Sequence, residues 1–167
     1  MRNLSLILTI AATGAFAVAN PLAAEPFKMK SADQITVVHA EGAQIYECHA
    51  DSTGTLSWKF REPIASLFER GKTIGRQYAG PSWEFADGTI ITAKVVARAP
   101  AATSADIPEL MLTVTGSKGS GPIAAARTIL RLKTKGGASH GTCQTPGEFQ
   151  SVSYSAEYAF FTSAGDN

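Results

Sequence analysis

The stretch S-V-S-Y-S-A-E-Y-A-F, residues 151–160, decides the fold class. Val152, Tyr154, Ala156, Tyr158 and Phe160 alternate with Ser151, Ser153, Ser155 and Glu157. A period of two gathers every large apolar group on one face of an extended chain, whereas a helix would scatter them around its circumference. The segment therefore predicts a strand with one face on a core and the other on water, the usual pattern of antiparallel sheets.

The same rhythm recurs upstream. Leu56, Trp58 and Phe60 alternate with Ser57, Lys59 and Arg61; Ile91, Ala93, Val95 and Ala97 with Thr92, Lys94, Val96 and Arg98; Leu110, Leu112 and Val114 with Met111 and Thr113. Residues 35–39, 44–50 and 128–133 are weaker strand candidates, rich in β-branched side chains and bounded by turn signals. These faces assign Tyr46, Trp58, Tyr154, Tyr158 and Phe160 to the core. Pro63, Ile64, Leu67 and Phe68 have the spacing of a short helix ending at Gly71, but S-L-F-E-R-G-K-T-I-G, residues 66–75, reads better as a hairpin turning at Arg70-Gly71. Asp87-Gly88 is a second hairpin signal, ahead of a strand over residues 89–98. Residues 99–106, 116–122 and 135–147 read as loops. An all-β antiparallel sandwich or small barrel of about seven to ten short strands follows.

The chain has 167 residues, about one domain's worth. Met1 and Arg2 precede an uncharged run, residues 4–18, of signal-peptide length and too short to span a bilayer. Residues 1–24 read as a leader cleaved after Ala24, or after Ala19, and residues 25–167 as a single all-β domain exported to the periplasm or the extracellular medium. No later stretch is apolar enough for membrane insertion after cleavage. Without Arg2, 14 basic residues face 14 acidic ones, and no Lys/Arg block marks a nucleic-acid footprint. The two cysteines, Cys48 and Cys143, are expected to pair as one disulfide in an oxidising compartment. The alternative is a metal site with His39, His49 or His140, but no C-x-x-C or H-x-x-x-H spacing supports it and no metal is expected.

Chemical motifs are sparse. Gly137-Ala138-Ser139-His140-Gly141 satisfies G-x-S-x-G, yet T-C-Q-T-P-G-E-F follows where a nucleophile elbow needs a helix. Residues 116–121 lack the G-K-[ST] ending of a phosphate loop, and no G-x-G-x-x-G is present, so no nucleotide cofactor is expected. The segment G-R-Q-Y-A-G-P-S-W-E-F-A-D-G, residues 75–88, is the main site candidate. Arg76, Tyr78, Trp83 and Glu84 are its aromatic and charged groups, set among turn-forming Gly and Pro.

Several short segments together, in order, resemble a family. Q-I-Y-E-C at 44–48, Y-A-G-P-S-W-E at 78–84, R-L-K-T-K-G-G at 131–137, Cys143 and Y-S-A-E-Y-A-F-F at 154–161 look like a family of exported bacterial and fungal proteins classified only as a domain of unknown function. The resemblance implies a secreted protein with two cysteines in matching positions and no established activity. Some relatives bear a malate dehydrogenase label, against which the missing dinucleotide motif argues. Gln77 stands where the family segment usually has histidine, and Ile107-Pro108-Glu109-Leu110-Met111 where it has I-P-W-L-L. A histidine-dependent site would be lost here.

Three readings follow. The first is a non-enzymatic module binding a small molecule, a glycan or an exported protein through Arg76, Tyr78, Trp83 and Glu84. The second is a hydrolase of envelope or plant carbohydrate using Glu84 and another carboxylate. The third is an envelope-stress or structural protein without a small-molecule site.

Overall fold

The computed structural model describes residues 27–165, and in it the sheet closes on itself. Eight strands follow one another: β1 (Gln34–Ala50), β2 (Leu56–Glu69), β3 (Lys72–Tyr78), β4 (Ser82–Phe85), β5 (Ile90–Ala99), β6 (Glu109–Lys118), β7 (Thr128–Gly136) and β8 (Phe149–Phe161). Each is antiparallel to the next, and β8 returns to β1, so the architecture is a closed barrel rather than a sandwich. The expected leader, residues 1–24, lies outside the described residues. Among those described, no helix is long and apolar enough to cross a membrane.

The alternation read from residues 151–160 is the barrel's inside–outside alternation. Tyr154, Ala156, Tyr158 and Phe160 point inward and are buried. Their register partners on β1 are Gly42, Ala40, Val38 and Thr36. Opposite β1 on its other side, Leu67, Ala65 and Pro63 of β2 face the same interior. Trp83 and Phe85 of β4 stack edge-on against Phe160, with centroids 6.1 and 5.7 Å away, and Trp83 also meets Tyr158 at 5.3 Å. Such T-shaped packing adds stability beyond the burial of ring area.

The two ends differ. At one end the connections are short: β2 and β3 turn at Arg70-Gly71, both at positive φ (49° and 77°), as a two-residue hairpin loop requires. The longer β6–β7 connection carries a 3₁₀ turn, Pro122–Ala125, whose Ile123 packs on the core, with Ala126 buried beside it. That end is plugged. At the other end lie the loops 51–55, 79–81, 100–108 and 137–148. Here Cys48 and Cys143 form the disulfide, with a Cα separation of 5.8 Å, which ties the β7–β8 loop to β1 and uses both thiols that a metal site would have needed.

Three sequence expectations are corrected. Residues 35–39 and 44–50 are not separate short strands but parts of one 17-residue strand, β1. The face assigned to Leu56, Trp58 and Phe60 is the inward one, since Phe60 pairs with Tyr46 and Trp58 with Cys48. The β1–β2 hairpin overruns the rim, however, because β8 stops opposite Glu47. Tyr46 and Trp58 are therefore only half-buried, and Phe60 is 54% exposed. Met111, read as a polar-face residue, is buried on the outside, where Leu130, Ala159 and Phe161 form a strip covered by Phe27 and Met29. The strip explains why β6–β8 carry apolar runs such as Leu110-Met111-Leu112 where simple alternation would predict polar residues.

Gly42 is where the wall leaves no room for a side chain. A Cβ there would lie 2.0 Å from the Ile64 carbonyl oxygen and 2.5 Å from the Ala65 Cα. Gly42→Ala is expected to lower the free energy of unfolding by about 2–4 kcal/mol, an overpacking cost with backbone rather than a flexible side chain in the way. Urea unfolding followed by far-ultraviolet circular dichroism measures it; a loss below about 0.5 kcal/mol would contradict the tight β1–β2 approach.

Candidate functional site

The side chains packed around Phe160 fill the plugged half of the barrel, and the other half holds a cavity of about 490 Å³. This volume lies within the range of pockets for small organic molecules. An eight-stranded barrel is just wide enough to fill with side chains or to hold one small ligand. The cavity is bounded by Val95, Leu110 and Leu112 on one wall, by Gly80 and Pro81 of the β3–β4 turn, and by Ile107 and Pro108, which fold over it from the β5–β6 loop.

The Ile107–Pro108 roof is fastened to β7. Ile107 N–H donates to the Gly136 carbonyl (2.9 Å), and Thr134 Oγ1 donates to the Ile107 carbonyl (2.6 Å). Asp106 Oδ1 accepts the Gly136 N–H (2.6 Å), and Arg131 Nε and Nη2 donate to the Pro108 carbonyl (3.1 and 2.8 Å). On the opposite side, Tyr46 Oη donates to the Gly137 carbonyl (2.7 Å), so β1 and β7 hold the same corner. Burial holds the Tyr46 phenol above its usual pKa, partly offset by the Ser139 backbone and by Arg131.

Polar side chains reach the interior from four strands. Tyr154 Oη donates to Gln77 Oε1 (2.5 Å). Burial above all, then the neighbouring Tyr158 phenol, raises the Tyr154 pKa far out of the titrating range, so it is a permanent donor. Gln44, Trp83 and Tyr158 also line the cavity, and each is at most 2% exposed. Gln44 Nε2, Trp83 Nε1 and Tyr158 Oη make no hydrogen bond of good geometry among the described residues, although Gln44 and Tyr158 both lie close enough to the Tyr154 phenol to act on its pKa as weak partners. Three buried polar groups left unpaired around one cavity carry a desolvation cost that a bound molecule could relieve.

The segment 75–88 divides across the wall. On β3 and β4, Gln77 pairs with Trp83 and Arg76 with Glu84. Alternation sends the first pair inward and the second outward. Trp83 therefore lines the cavity, while Arg76 and Glu84 form an ion pair on the outer face (Nη2 to Oε2, 2.7 Å), with the Arg76 guanidinium 5.4 Å over the Tyr78 ring. The four residues singled out from sequence do not converge on one point. Gln77 is buried and engaged with Tyr154. Ser139 Oγ donates to Gln150 Oε1 (2.6 Å), so its hydrogen bond goes to an amide rather than to an adjacent base.

Sequence reasoning missed Gln44, Arg61, Arg98 and Arg131 as cavity residues. Gln44 carried a signal: it stands on the inward parity of a strand otherwise apolar there, with Val38 and Ala40. Arg131 carried the same signal, two residues after the inward Ile129 on β7, whereas Arg61 and Arg98 carried none, because their placement depends on strand irregularities.

Fold and site together define a closed antiparallel barrel, plugged at one end and hollow at the other, with polar residues among those lining the hollow. The chain belongs to the family described as Protein of unknown function (DUF3455), whose model matches residues 30–162. No curated protein and no solved structure matches it.

The Asp106 clasp makes the roof sensitive to acid. Hydrogen bonds from the Gly136 amide and then from Thr103 hold the Asp106 carboxyl below its usual pKa. A carboxyl whose folded pKa is depressed stabilises the fold fully above its unfolded pKa, and loses that contribution as pH falls through the lower folded value. Asp106→Asn should therefore lower the melting temperature at pH 7, and the gap to wild type should narrow as pH falls through the depressed folded pKa. Thermal melts from neutral to strongly acid pH check this; a gap that stays constant throughout would mean the charge is not what holds the clasp.

Proposed function

We propose that this protein is a non-enzymatic binding module, exported to the periplasm or extracellular medium, that holds a small molecule inside its barrel. The single observation that carries this reading is the set of unpaired groups, Gln44 Nε2, Trp83 Nε1 and Tyr158 Oη, around one cavity of about 490 Å³. A protein selected only for stability gains nothing from burying them, because apolar groups of similar shape would serve as well. A ligand bearing hydrogen-bond acceptors turns that cost into specificity. The disulfide fits an exported protein and fastens the hollow end.

The cavity wall presents amide, indole, phenol and guanidinium groups. Glu84, the carboxylate on which the carbohydrate-hydrolase alternative rests, is engaged by Arg76 on the outer face. The arrangement favours holding a molecule over cleaving one, since acid/base hydrolysis of a glycoside needs two carboxyl groups flanking the substrate.

In Trp58→Phe protein, Trp83 is the sole tryptophan and reports on the cavity. Screening a library of small apolar acids, ketones and alcohols should find compounds that shift its emission and raise the melting temperature. Val95→Phe, which fills the cavity, should abolish both responses; compounds that still bind this variant unchanged would show that the interior is not the site. Tyr158→Phe should leave the ligand-free melting temperature equal to wild type or higher, and weaken the best ligand about fivefold to tenfold. A clearly destabilised Tyr158→Phe would mean that its hydroxyl already has a partner in the free protein.

A further inference from the structure

Resting on the binding reading above, we infer the class of ligand: an apolar carboxylic acid, its carboxylate held among Arg61, Arg98 and Arg131 at the cavity mouth. All three arginines line the cavity, and no Asp or Glu does.

Arg131 is the least expected of them. Its side chain is directed inward from β7 and the residue is only 9% exposed. An arginine buried to that degree usually has a carboxylate partner. Among the described residues Arg131 has none, and its partner is the neutral Pro108 carbonyl. The Pro108 bonds occupy two of the five N–H donors and neutralise no charge. Arg98 has no ion-pair or hydrogen-bond partner among the described residues. Arg61 lies over the Phe149 ring at 4.9 Å, with Glu62 a loose 3.5 Å from its Nε.

The backbone shows how they come together. On β5 the inward residues Ile91, Ala93 and Val95 would be followed by Ala97, but the register slips between Val95 and Ala97, and the extra residue hands the next inward position to Arg98. On β2 the slip opposite Ile45 and Tyr46 leaves Arg61 as the extra residue. On β7 no slip is needed: Ile129 pairs with Phe160 and Arg131 with Tyr158, so plain alternation turns Arg131 inward, and the ladder breaks only beyond it, between Leu132 and Lys135. Arg61 and Arg98 thus owe their placement to β-bulges, the device by which strands re-aim single side chains beside binding sites.

The plainer reading makes Arg131 a strut for the roof and the other two a solvated rim. It accounts for two N–H groups of one residue. It leaves unexplained why two separate irregularities add Arg61 and Arg98 to a cavity that already holds Arg131, with no acid among its described lining residues. A carboxylate would supply the missing charge, and the planar guanidinium fork matches its two oxygens. The apolar body would then lie along Val95, Leu110 and Leu112, with any further oxygen within the reach of the unpaired Gln44, Trp83 and Tyr158 donors.

The test is isothermal titration calorimetry of the disulfide-bonded protein with two matched sets of probes at pH 7 and low salt. One set is decanoic acid, decanol and decylamine; the other is 2-naphthoic acid, 2-naphthylmethanol and 2-naphthylmethylamine. In at least one set the acid should bind about tenfold or more tighter than the alcohol, and the amine more weakly than either. The double variant Arg61→Gln/Arg98→Gln changes two rim residues and should fold normally; it should remove most of the acid's advantage while leaving alcohol affinity within about twofold. Acid and alcohol binding equally, or the amine binding best, would overturn the carboxylate assignment and leave the binding module standing. An acid preference untouched by the double variant would overturn the assignment to this mouth. Failure of all six probes to bind would count against the ligand class and the binding reading together.

Discussion

Closure of β8 onto β1 is the constraint from which the rest follows. The two strands pair from Gln34 opposite Phe161 to Glu47 opposite Phe149, and this seam converts an open sheet into a wall with an inside. A closed antiparallel wall has no edge to protect. It also fixes which residues can meet: alternate side chains of all eight strands share one interior of limited width. Large groups from one side then have to be matched by small ones from the other. β1 supplies Val38, Ala40 and Gly42, and the space they leave admits Trp83 and Phe85 of β4 and the rings of β8.

Packing that is efficient in one half of the barrel stops short of the other. Toward the plug, Val38, Leu67, Ile91, Ile129 and Phe160 are fully buried and apolar. Toward the loops, the inward positions turn polar with Gln44, Gln77, Tyr154 and Arg131, and a hollow opens. Each polar group exacts a desolvation cost that is recovered only where a partner exists, as between Tyr154 and Gln77. The hollow half is thus less stable in isolation than an apolar filling of the same volume would be. That imbalance is what the proposed ligand would offset.

Much of the fold was legible in the sequence, and little of the site was. Alternation over residues 151–160, the Arg70-Gly71 and Asp87-Gly88 turns and the pairing of Cys48 with Cys143 are local or compositional signals, and the structure agrees with each. A barrel could not be told from a sandwich, because closure depends on β8 meeting a strand more than a hundred residues earlier. The limited burial of Tyr46, Trp58 and Phe60 was illegible for a related reason: the face was right, but the length by which one hairpin outruns its neighbours is a property of the whole ring. In the segment 75–88, the turn-forming glycines made Arg76, Tyr78, Trp83 and Glu84 look like one cluster. The two-residue period of β3 and β4 sends Trp83 inward and the Arg76–Glu84 pair outward. Arg61 and Arg98 escaped notice because a bulge changes parity without leaving a mark in residue type, while Arg131 stands on the regular inward parity of Ile129.

The wall is uneven in a way that bears on how anything enters it. β4 is four residues long, between neighbours of seven and ten, and its ladder with β5, three residue pairs, is the shortest between consecutive strands. Local opening begins where the fewest backbone hydrogen bonds must break together. Trp83, a wall of the hollow, rides on that stave. The barrel therefore has a built-in place to breathe: a brief parting of β4 from β5 would give the proposed guest a second way in or out, through the side of the molecule and away from the disulfide-fastened rim. Exchange by that route would be governed by the hydrogen-bond lifetime of one short strand rather than by the width of the opening.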